Sequence, residues 1–110
     1  MSVKPLIDLE AIATFCKQHS VQSFALFGSI LTDDFDAESD VDVLVDLGDL
    51  HIDFHTMFGM INELESMFGR KVDMIERSSL KHLDSIRRRS IEKSARIIHE
   101  ISCLSQVQNP

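Results

Sequence analysis

A chain of 110 residues with a net charge of -7, 44% hydrophobic and 26% charged, has room for one modest core but not for a catalytic domain plus a separate substrate domain. That balance is the composition of a folded chain rather than a disordered one, and the acidity argues against electrostatically driven binding of bulk nucleic acid. No apolar run approaches the roughly 20 residues of a membrane span, and the N-terminus lacks a signal-peptide core, so a cytoplasmic protein with no membrane partner is expected.

Taken in order, Asp8 can cap a first helix in which Leu9, Ile12, Phe15 and Cys16 recur at helical spacing until about His19. An apolar strand over 21–27 follows and stops at Gly28, which lets the backbone turn tightly, while Ser29 offers a hydroxyl and an N–H to an anion. Residues 31–39 form an acidic connection to a second strand over 40–47. From about 52 to 68 the positions Phe54, Met57, Phe58, Ile61, Leu64 and Phe68 predict an amphipathic helix packed on a sheet, with Gly69 as its stop.

A third strand is expected over 71–76, with Val72 and Met74 on one face and Asp73 and Ile75 on the other. Joined to the second strand through a helix, it can lie parallel and adjacent to it. The tail over about 79–105 is predicted helical from Leu80, Leu83, Ile86, Ile91, Ile98 and Ile101, and Arg87-Arg88-Arg89 within it reads as a solvated face. The fold class is therefore α+β with an α/β-like character: one small domain over 1–110, a short mixed sheet, and helices packed on one side. Cys16 and Cys103 have no metal or redox spacing and read as reduced thiols.

Asp40 and Asp42 are two apart in a strand-like segment, so both carboxylates project to one side while Val41, Val43 and Val45 project to the other. Carboxylates so placed repel one another unless a cation neutralises them, and a hard ion such as Mg2+ fits oxygen ligands. Asp73 reaches the same cluster if its strand is the neighbour. Two metals on such carboxylates, with the backbone N–H groups of a Gly-Ser turn holding a triphosphate, satisfy the needs of nucleotidyl transfer to a hydroxyl. His51, Asp53 and His55 lack a further ligand and read as a solvated helix start.

Gly28-Ser29, ten residues, Asp40-x-Asp42, then Asp73 within Lys71-Val72-Asp73-Met74-Ile75 resembles the polymerase-beta-type nucleotidyltransferase superfamily, in particular its minimal nucleotidyltransferase branch. The resemblance covers nearly the whole chain. It implies Asp40, Asp42 and Asp73 as catalytic and metal-binding residues, Gly28 and Ser29 as nucleotide-binding residues, two Mg2+ ions, and ATP as substrate. It further implies an antitoxin that transfers AMP to a hydroxyl, a tyrosine, of a HEPN-type ribonuclease toxin. A catalytically inactive antitoxin acting by binding alone, and a small-molecule nucleotidyltransferase, are the alternatives. After Gly28-Ser29 the chain carries Ile30-Leu31-Thr32, where the family often has a basic residue.

Overall fold

The computed structural model describes residues 7–100. Asp8 caps helix α1 (Leu9–His19) by accepting a hydrogen bond from the Ala11 N–H at 3.0 Å, and Ile12, Phe15 and Cys16 form its buried stripe. Strand β1 (Ser23–Phe27) runs into a 3-10 turn over Gly28–Leu31. Strand β2 (Val41–Asp46) precedes helix α2 (Phe54–Phe68), which Asp53 caps and Gly69 terminates at φ +67. Strand β3 (Val72–Glu76), a second 3-10 turn over Arg77–His82, helix α3 (Ser85–Ser94) and strand β4 (Arg96–Glu100) complete the described chain.

The four strands form one mixed sheet in the order β3-β2-β1-β4. β1 pairs antiparallel with β2 and with β4, whereas β2 and β3 are parallel neighbours joined through α2, as their connection suggested. The pleat then sorts the side chains. Val41, Val43, Val45, Val72 and Met74 share one core cluster with the buried stripes of α1 and α2. Ala25, Phe27 and Leu44 point to the opposite face, where Leu80 and Ile91 lie over them. Thus α1 and α2 cover one face, while α3 and the turn before it cover part of the other.

Two expectations change. Among the described residues of the predicted helical tail over 79–105, the 3-10 turn runs to His82, the α-helix covers Ser85–Ser94, and Arg96–Glu100 is a strand; Ile101 and Cys103 lie outside the described residues. The helix ends where Ala95 takes extended angles, φ -62 and ψ 134. The β-branched pair Ile97-Ile98 then satisfies backbone groups along the otherwise open edge of β1, a choice made by the available partner rather than by spacing. On α2, Phe54 and Phe58 do not pack on the sheet: they are 75% and 60% exposed and stack on each other with ring centroids 6.5 Å apart. Of the predicted stripe, Leu64 and Phe68 are buried and the half-buried Met57 and Ile61 pack against the core, and Met60 joins them.

Cys16 is a free, buried thiol whose burial pushes its pKa up to about 11, consistent with an inert packing role. Among the described residues no helix is long and apolar enough to cross a membrane.

Candidate active site

The site lies at one end of the sheet, where β1 ends and the parallel pair β2 and β3 begins. Asp42 is the register partner of Phe27 on one side and of Asp73 on the other. It shares its sheet face with Leu44, and Asp73 shares that face with Ile75, so both acids lie on the side that carries Leu80 and Ile91. Asp40 stands just outside the strand and is exposed, as is Asp73, whereas Asp42 is half-buried. The expected face therefore holds for Asp42 and Asp73, and Asp40 stands near enough for its charge to act on Asp42, the central member.

Gly28 sets the distance between the turn and that carboxylate. Its φ is +79, and a Cβ there would overlap Asp42 Oδ2 and lie 3.2 Å from Asp42 Cγ. The turn that follows is closed by the Thr32 N–H and hydroxyl, both donating to the Ser29 carbonyl at 2.9 Å. Gly28 and Ser29 are half-buried, and the first N–H groups of this short turn have no partner within it. The absence of a side chain is thus what lets the start of the turn press against Asp42.

Electrostatics single out the same residue. Partial burial, then the neighbouring charges of Asp73 and Asp40, push the Asp42 pKa from 3.8 up to about 6, and Arg87 on α3 pulls the other way. An acid raised by two further acids is stabilised in its charged form by a cation. Three carboxylates offering oxygen donors suit a hard ion such as Mg2+. With the side chains as placed, no three acidic, imidazole or thiol groups among the described residues converge closely enough to hold an ion. Asp40 and Asp73 are exposed, so their carboxylates can swing towards the more constrained Asp42.

The acidic connection before Asp40 is more ordered than its composition suggests. Asp36 accepts from the Glu38 N–H at 2.9 Å and from the Ser39 hydroxyl at 3.0 Å, contacts that hold its carboxyl below the usual range. Arg70, just after the stop of α2, donates to the Asp36 carbonyl at 2.6 Å and the Ser39 carbonyl at 3.1 Å, with its guanidinium 4.4 Å from the centre of the buried Phe35 ring. Val41 N–H then donates to Lys71 O at 2.9 Å, which fixes the entry into β2.

Sequence reasoning passed over Arg70, because nothing local links it to a loop more than thirty residues earlier. Replacing Arg70 by Ala is expected to cost about 2 kcal/mol of stability, and Lys to recover part of it: one nitrogen, Nη1, donates to both carbonyls, which an ammonium can imitate, but Lys lacks the planar group that lies over the Phe35 ring. Urea unfolding of the two variants measures this. Arg87, assigned to a solvated face, is exposed, and its four-residue spacing from the buried Ile91 puts it on the side of α3 nearer the sheet. His51 and His55 are exposed and Asp53 caps α2, so that group acts as a helix start.

With this geometry in view, residues 9–98 match the family model described as Nucleotidyltransferase domain. The chain belongs to the nucleotidyltransferase domain family. It is 34% identical over 64 residues to a Methanocaldococcus jannaschii protein named for protein adenylyltransferase activity, covering 57% of this chain and 64% of that one, so the match spans less than two thirds of the relative.

Solved structures agree on the nucleotidyltransferase fold. A chain of a toxin-antitoxin complex with AMP-PNP superposes with a TM-score of 0.69 at 16% identity, over 92% of this chain and 80% of that chain. A chain from the complex of tri-AMPylated Shewanella oneidensis HEPN toxin with MNT antitoxin gives 0.61 at 16% identity, over 90% and 75%. A structure described as a minimal nucleotidyltransferase gives 0.61 at 22% identity, over 80% and 86%.

Proposed function

We propose that this nucleotidyltransferase is the antitoxin of a two-protein module, acting as one small domain that transfers AMP from ATP to a tyrosine hydroxyl of a HEPN-type toxin. The observation that carries the reading is the convergence of Asp42 and Asp73 in register on one face, with Asp40 beside them and the Gly28 turn against Asp42. The names of the matched proteins support the partner and the reaction: a protein adenylyltransferase, and an MNT antitoxin bound to a tri-AMPylated toxin.

In this reading Asp40, Asp42 and Asp73 would hold Mg2+, two ions in all, and the metal would supply charge neutralisation for the attacking and leaving oxygens. The Gly28-Ser29 turn presents backbone N–H groups and a hydroxyl to the triphosphate. The acceptor oxygen attacks the α-phosphorus in line, the α–β bridging bond breaks, and pyrophosphate departs. Asp73, exposed at the mouth of the cluster, takes the proton of the acceptor hydroxyl on a carboxylate oxygen. The chain brings few surfaces with which to hold a second small substrate, so the acceptor arrives on a folded partner. ATP supply and the reduced Cys16 thiol fit a cytoplasmic location.

The test mixes the protein with ATP labelled at the α-phosphate, Mg2+ and the HEPN-type product of an adjacent gene. Label is expected on a toxin tyrosine, and none with the Asp40→Ala, Asp42→Ala double variant. Equal protection of cells by wild type and double variant, with no label in either, would replace transfer by inhibition through binding alone.

A further inference from the structure

A triphosphate carries several negative charges into a site already made of acids, yet the residues after the Gly28 turn provide no cation: Ile30, Leu31 and Thr32 are followed by Asp33 and Asp34. Any positive charge that the chain itself lends to the site must therefore come from elsewhere in the fold. Helix α3 lies on the acid-bearing face of the sheet, fastened there by Ile91, which is buried with Phe27 and Leu44. Phe27 immediately precedes Gly28 and is the cross-strand partner of Asp42, while Leu44 is two residues from Asp42 on the same face. The buried end of this contact is thus part of the floor of the site.

Arg87 stands four residues before Ile91, so the two side chains share one face of α3. The packing of Ile91 on Phe27 and Leu44 therefore places Arg87 on the face of α3 that is turned to the acid-bearing side of the sheet. Two other arginines are differently engaged. Arg88 pairs with Glu92 at 3.5 Å, and Arg70 is tied to the carbonyls of the acidic loop. The guanidinium of Arg87 makes no hydrogen bond or salt bridge among the described residues, and the side chain is exposed, so its donors remain available to a ligand.

We propose that Arg87 binds the triphosphate of the incoming nucleotide, delivering from α3 the cation that the segment after Gly28-Ser29 lacks. The assignment rests on the nucleotidyltransferase reading. A guanidinium is suited to this role because its planar donors engage phosphate oxygens in pairs. As pyrophosphate leaves, the same group offsets the charge that accumulates on it.

Titration calorimetry with Mg2+ and either a non-hydrolysable ATP analogue or AMP separates the possibilities, using the wild type, Arg87→Ala, Arg87→Lys and Arg88→Ala. Loss of the guanidinium is expected to weaken analogue binding by about 10- to 100-fold and AMP binding by less than about 3-fold, because AMP lacks the phosphates concerned. Lys is expected to recover part of the loss, and Arg88→Ala to match the wild type. Melting temperatures should agree among the four proteins, Arg87 and Arg88 being exposed.

Analogue binding by Arg87→Ala as tight as that of the wild type overturns the assignment while leaving the nucleotidyltransferase reading intact. Equal losses for analogue and AMP also overturn it, by showing that Arg87 acts only through the shape of the acid cluster. Failure of the wild type to bind either nucleotide removes the nucleotide reading and the assignment with it.

Discussion

Replacing Asp42 by Asn is expected to lower the proposed AMP transfer at least about a thousandfold while raising the stability of the metal-free protein. The two effects share one cause. Asp42 is the half-buried member of the acid cluster, and burial together with Asp73 and Asp40 disfavours its charge. Amide substitution keeps the shape and removes the repulsion, a gain of about 1 kcal/mol once solvent screening of a partly exposed group is allowed for. It also removes a ligand that the proposed chemistry requires.

The pH dependence gives an independent reading. A carboxyl with a raised folded pKa keeps its proton when the unfolded chain has lost it, so stability falls as pH rises from 3.8 to about 6 and stays lower above that. Asp36 and Asp53 act in the opposite sense, since hydrogen bonds depress their pKa values and the stability they confer is lost as pH falls through the acidic range. Subtracting the Asn variant's curve from that of the wild type, both measured by thermal unfolding with a chelator present, isolates Asp42. A difference that does not change between 3.8 and about 6 would show that the cluster does not repel itself.

Gly28→Ala is the second large expectation: about 2 to 4 kcal/mol of lost stability, together with loss of activity in whatever protein still folds. The backbone there is at φ +79, unfavourable for any side chain, and the new Cβ meets the Asp42 carboxylate rather than open space. Two other glycines separate these contributions. Gly69 is also at positive φ but nothing lies within 4 Å of its added Cβ, so Gly69→Ala should cost only about 1 kcal/mol and spare activity. Gly59 lies within α2 with open space around it, and Gly59→Ala should add up to about 1 kcal/mol. Unfolding and label transfer for the three variants test the ranking. Equal behaviour of Gly28→Ala and Gly69→Ala would remove the close approach of the turn from the account.

Much of the site was legible because its parts are local. Glycine followed by a hydroxyl marks a tight turn, and carboxylates two apart on a strand share a face whatever surrounds them. A connection through a helix long enough to cross between them allowed β2 and β3 to be parallel neighbours, and the sheet order made them so. The apolar run at 97–98 was different. Ile97 and Ile98 fit a helix or a strand in isolation, and the open edge of β1 decided between them. Phe54 and Phe58 had the spacing of a core stripe, but a helix can bury only the side that faces the sheet, and the chain uses Met60, Leu64 and Phe68 for that purpose.

From residue order alone came the pair Asp40 and Asp42, the expectation that they share a face, and the glycine turn before them, because each depends on backbone geometry over a few neighbouring residues. The class of chemistry came from the family resemblance those motifs carry. Tertiary structure decided that Asp42 rather than Asp40 is the constrained acid, that Arg70 ties down the acidic loop, and that α3 brings Arg87 to the cluster. Those relations join residues thirty to forty-five positions apart in the chain. Burial, like-charge repulsion and the reach of a guanidinium all depend on distances through space, which the spacing of residues along the chain does not specify.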